Sequence, residues 1–135
     1  MKIGKVLKDP ILWENMDAEV WVQSGDFGPC VDYSPAGYVG EDLDGWMKGS
    51  IFIELDDNTD HTLTVSEVVE KLSTFDQSCE VVVSDGFEAQ PFLIKNFREF
   101  ADQEQRHAGY KISDERAKQY YGHLKYPIVV FDVED

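Results

Sequence analysis

Hydrophobic and polar positions alternate along this chain in two blocks that carry the same pattern. Ala18-Glu19-Val20-Trp21-Val22-Gln23-Ser24-Gly25 aligns without gaps on Cys79-Glu80-Val81-Val82-Val83-Ser84-Asp85-Gly86. Successive side chains of an extended chain point to opposite faces, so Val20 and Val22 share one face and Trp21 takes the other. An amphipathic segment precedes each block, over 3–12 and 65–72, and a proline follows each at almost the same distance, Pro29 and Pro91. Each half closes with an apolar run, Ile51-Phe52-Ile53 or Ile128-Val129-Val130. The repetition predicts an α+β fold of two αβββ-like pseudo-repeats with a mainly antiparallel sheet. A unit too small to bury its own apolar face can bury it against a copy.

Within the first half, Ile3, Val6 and Leu7 lie at helical spacing, and the segment breaks at or just before Pro10. A strand over 18–23 follows, Gly25-Asp26-Phe27-Gly28-Pro29 turns the chain, and a second strand runs around 30–33. The stretch 34–49, with Gly37, Gly40, Gly45 and Gly49, reads as a loop. In the second half, Thr64-Val65-Ser66-Glu67 fits a capping box, and Val65, Val68, Val69 and Leu72 supply a buried stripe. A strand over 80–84, the turn pair Asp85-Gly86 and a partner strand through Phe92, Leu93 and Ile94 come next. An inserted helical hairpin over about 96–124 sets this half apart. Its first helix spans 96–105 with Phe97 and Phe100 inward, His107-Ala108-Gly109 breaks it, and Ser113-Asp114-Glu115 caps the second. A strand over 127–133 ends a single domain, 1–135, divided into pseudo-repeats 1–58 and 59–135.

The chain has 135 residues, 42% of them hydrophobic, including three Trp, six Tyr and eight Phe, which argues against disorder. No apolar run is long enough to cross a bilayer, and the start lacks a secretory pattern, so the expected setting is the cytoplasm. Cys30 and Cys79 form no CxxC pair and read as free thiols. Net charge changes the picture most. Residues 95–125 hold seven of the twelve Lys and Arg against five acids, while the other 104 residues carry a net of −17. A field of that sign repels nucleic acid and anionic membranes and draws in basic surfaces.

The strings Thr-Val-Ser-Glu-Val-Val-Glu-Lys-Leu, from Thr64, and Glu-Val-Val-Val-Ser-Asp-Gly, from Glu80, carry a resemblance. They look like the small uncharacterised proteins of bacteriophage and mobile-element genomes that pair a capped helix with an "EVVV-D-G" hairpin. The resemblance implies genomic company and a fold pattern, with no catalytic motif. The first half departs from it, with Lys2 at the cap position and Trp21 interrupting the valine run.

Among candidate chemistries, Asp56, Asn58, Asp60 and Glu67 fall at spacings of an EF-hand calcium loop. His61 stands where that loop wants Gly, and the preceding segment reads as strand, so a polar connector ending in a helix cap explains the same residues. Catalysis has little support: neither cysteine has a nearby His, and no GxSxG, Walker or dinucleotide motif is present. The aromatics Tyr33, Tyr38 and Trp46, set among Asp32, Glu41, Asp42 and Asp44, suit the capture of a basic, nucleic-acid-binding protein. The resulting expectation is a non-enzymatic acidic phage-type protein that inhibits such a host protein by nucleic-acid mimicry, in the anti-restriction or anti-CRISPR manner. Alternatives are a small calcium- or ligand-binding module on the 56–67 loop and a self-associating phage assembly protein. The first expectation involves no cofactor, no direct nucleic-acid binding and no membrane.

Overall fold

The computed structural model describes residues 1–24, 32–41, 49–55, 62–84, 92–100 and 127–134. Their elements run α1 (Ile3–Val6), α2 (Pro10–Glu14), β1 (Glu19–Ser24), β2 (Asp32–Glu41), β3 (Ile51–Leu55), α3 (Val65–Leu72), β4 (Val81–Ser84), β5 (Phe92–Phe100) and β6 (Ile128–Glu134). The strands close a barrel in chain order. Neighbours β1/β2, β2/β3, β4/β5 and β5/β6 are antiparallel, whereas β3/β4 and β6/β1 are parallel. A parallel contact needs a long crossover, and α3 supplies it between β3 and β4. The fold is therefore α+β with a mostly antiparallel sheet. Among the described residues, no helix is long and apolar enough to cross a membrane.

The helices form where the sequence pattern requires. Thr64 Oγ1 accepts from Glu67 N at 3.3 Å while Thr64 N donates to Glu67 Oε1 at 3.1 Å, completing the capping box of α3. Val65, Val68, Val69 and Leu72 are all buried on the face that this cap orients. Lys2, at the N-cap of α1, makes no side-chain cap. The chain breaks before Pro10 as its ring demands, and Pro10 then opens α2, with Asp9 Oδ1 accepting from Ile11 N at 3.0 Å.

Each half's helix is laced to a strand of the other half. Ile3 N donates to Cys79 O at 2.9 Å and Val81 N to Met1 O at 2.8 Å, tying the start of α1 to β4. Val65 N donates to Ala18 O at 2.9 Å and Val20 N to Leu63 O at 2.8 Å, tying the start of α3 to β1. Inside the barrel, Val20, Val22, Val81, Val83 and Phe131 join Ile3, Leu12 and Leu72 in one apolar cluster. Phe97 meets Phe131 edge-on, 4.5 Å between ring centres.

Two expectations are corrected. The stretch 34–49 is not all loop: β2 extends to Glu41, with Pro35, Ala36, Val39 and Gly40 buried. Glycines that signal a loop in one dimension here serve a bulged strand. Residues 96–100 are not helix, because β5 continues through Phe100. Phe97 and Phe100 are both buried at helix-like spacing, but Phe97 joins the interior cluster while Phe100 lies outside it, beside Arg98. The rest of the expected hairpin, beyond residue 100, lies outside the described residues.

In the turn before β4, the Ser78 hydroxyl and amide both donate to Asp76 Oδ1, at 2.7 and 2.8 Å, and hold that carboxyl below its ordinary value. A depressed carboxyl favours folding above its unfolded pKa, and the benefit fades as pH falls through the folded value. Ser78→Ala should move the Asp76 midpoint up toward an ordinary aspartate, as read by carboxyl-carbon NMR. In urea unfolding, Thr64→Ala should lower stability by about 1 kcal/mol, and Phe131→Ala, by opening the interior, by about 3–5 kcal/mol.

Candidate functional site

The site begins with a break in strand regularity. Ala36 pairs with Leu55, but the next matched pair is Tyr38 with Glu54, so Gly37 is the extra residue of a β-bulge. Ala36 and Val39, three apart, both reach the core, which a regular strand forbids. The bulge turns Tyr38 outward, and its side chain is 55% exposed on a strand otherwise well buried at this point. The ring lies back over Gly40, where an added Cβ would stand 2.5 Å from Tyr38 Cε1. Glycine leaves that space open. The ring also meets Phe52, the strand partner of Gly40, tilted by 50° with centroids 6.0 Å apart.

An open cleft of about 490 Å³ lies between this part of β2 and α3. Gly37, Tyr38, Val39 and Leu63 form one wall, and Glu67, Glu70, Lys71 and Thr74 the other. Glu67 Oε1 is engaged by the helix cap, while Glu70 and Lys71 reach solvent. Glu54, directly across the strand pair from Tyr38, adds a carboxylate on the same sheet face. Glu41, exposed, ends β2. The arrangement offers an aromatic surface bordered by acids.

A second, part-buried arrangement sits on β5 and β6. Arg98 Nε donates to Asp132 Oδ2 and Nη2 to Oδ1, each at 2.6 Å, a two-pronged pair of the strong, directional kind. The guanidinium carbon also stands 5.1 Å from the centre of the Phe100 ring.

Of the residues singled out in the sequence for partner binding, Tyr38 and Glu41 are placed as described. Asp32 and Tyr33 belong to the start of β2, paired with Ser24 and Gln23. Asp42, Asp44 and Trp46 lie outside the described residues, as do Asp56, Asn58 and Asp60 of the calcium-like loop. Glu67, the last candidate ligand of that loop, caps α3, and no group of potential metal ligands occurs among the described residues. Cys79 is a free, half-buried thiol, while Cys30 and the three histidines fall outside the described residues. Gly40, Glu54 and Glu70 were not anticipated. The Tyr38-x-Gly40 spacing was the available signal, since residues two apart share a strand face. No family model, curated protein or solved structure matches the chain.

Gly40→Ala should displace the Tyr38 ring without unfolding the barrel. The expected readout is a change in the ring-proton shifts of Tyr38 and Phe52, with stability altered by less than about 1 kcal/mol.

Proposed function

We propose that this chain is a non-enzymatic, phage-type protein that binds a basic, nucleic-acid-binding host protein in the cytoplasm and inhibits it. The observation that carries this reading is the exposed ring of Tyr38, set on a bulged strand and bordered by Glu54, Glu67 and Glu70. Aromatic residues on fixed backbone make efficient anchors, because little conformational freedom is lost when they are covered. The surrounding carboxylates, within a net charge of −15, supply long-range attraction to a basic surface and compete for the positions that phosphates would take.

The same proposal includes an internal duplication as the origin of the barrel. It is supported by bonds that recur in matching places: Lys2 bridges Glu80 as Thr64 bridges Glu19, and Gly4 N donates to Gln77 O as Ser66 N donates to Met16 O. Bulges likewise fall at Ala36/Tyr38 and Ile94/Asn96. On this reading only the first half has kept its outward aromatic and glycine for binding.

The test is capture from nuclease-treated bacterial lysate by the tagged chain, with bound proteins identified after low-salt and high-salt washes. A basic nuclease, polymerase or repressor should be held at low salt, reduced at high salt, and reduced at least about tenfold by Tyr38→Ala. Equal capture by wild type and Tyr38→Ala, or capture of copies of the chain alone, would overturn the reading.

A further inference from the structure

Two positions on the outward side of the barrel wall correspond through strand register and are filled differently. On β5 and β6, after the bulge, Asn96 pairs with Asp132 and Arg98 with Val130. On β2 and β3, after the bulge, Tyr38 pairs with Glu54 and Gly40 with Phe52. Arg98 is therefore matched by Gly40, and Asp132 by Glu54. The first set is complete: an acid, a ring and a guanidinium joined to both, with Arg98 2.6 Å from Asp132 and 5.1 Å from the Phe100 centroid. The second set has the acid, Glu54, and an exposed ring, Tyr38, here at the register position of Asn96; Gly40 carries no side chain, and among the described residues no cation pairs with Glu54. Among the described residues, the adjoining cleft carries Glu67 and Glu70 against one cation, Lys71.

We infer that the Tyr38 cleft is the docking site for an arginine side chain of the partner protein, whose guanidinium stacks on Tyr38 and pairs with Glu54 and Glu70. This rests on the acidic-partner reading and gives it a ligand chemistry. Arginine fits better than lysine for a physical reason. A planar guanidinium covers an aromatic face while still presenting a fork of donors to carboxylates, whereas an ammonium is a compact, strongly hydrated point charge. The occupied set on β5 and β6 brings a guanidinium, a carboxylate and an aromatic ring together within the chain.

The experiment titrates the full chain with three blocked tripeptides, Arg-Gly-Arg, Lys-Gly-Lys and the citrulline analogue, while following the Tyr38 ring signals by NMR. The Arg peptide should give a saturable shift, the Lys peptide should bind at least about fivefold more weakly, and the citrulline peptide should give none. Glu54→Gln, which leaves the core untouched, should weaken the Arg peptide at least about threefold. The double variant Tyr38→Asn with Gly40→Arg, which gives the first half its own guanidinium, should abolish the response that the neighbouring Phe52 ring shows in the wild type. Equal shifts from the Arg and Lys peptides, or none that saturate, would overturn the inference. The two readings fail separately. Tyr38-dependent capture of a basic protein without an Arg response sinks only this inference. An Arg response without salt-sensitive capture sinks the inhibitor reading instead.

Discussion

Closure of the barrel is the constraint on which the rest of this structure depends. Neither half closes by itself: β1–β3 and β4–β6 each make a three-stranded antiparallel unit, and the parallel contacts β3/β4 and β6/β1 join the two into one closed sheet. A three-stranded sheet left open would expose two edges and one apolar face. Lacing each half's helix onto a strand of the other half adds to the interdependence, because separating the halves strips the starts of α1 and α3 of their backbone partners. The apolar cluster that results draws residues from both halves and from all three described helices.

Closure also limits how such a molecule can bind. A closed barrel presents no free strand edge to which a partner could add a strand, so recognition through the described strands has to use side chains on the outer face. Irregularities of the strands decide which side chains those are. Gly37 adds a residue and turns Tyr38 outward, and Gly40 leaves room for the ring to lie against the sheet. The charge around that ring comes from two sources: Glu54 by strand register, and Glu67 and Glu70 from the helix that crosses between β3 and β4. A single topological demand, the parallel crossover, thereby also builds the second wall of the cleft.

Much of this was legible in the sequence. The capping box at Thr64, the buried stripe of α3, the faces of Val20, Val22 and Trp21, and the strand at 128–130 all follow local rules of period and capping, and the structure has them. The longer reach of β2 and β5 was not legible. Both strands contain a bulge, which breaks the two-residue period and leaves apolar residues three apart, the spacing of a helix. Ala36 and Val39 were hidden among glycines for that reason, and Phe97 and Phe100 mimicked a helical face. Tyr38 was recognisable as an exposed aromatic among acids. Its companions Glu54 and Glu70 were not, because strand register and helix placement bring them together across 16 and 32 positions of sequence.

The measurement that tests the interdependence of the halves most directly is native-state hydrogen exchange across the two parallel contacts. Amides of β1 and β4, at Val20, Val22, Val81 and Val83, should open with one common free energy, within about 0.5 kcal/mol of global unfolding. Exchange of β4–β6 at a distinctly lower free energy, while β1–β3 stay protected, would contradict a barrel whose halves stand only together.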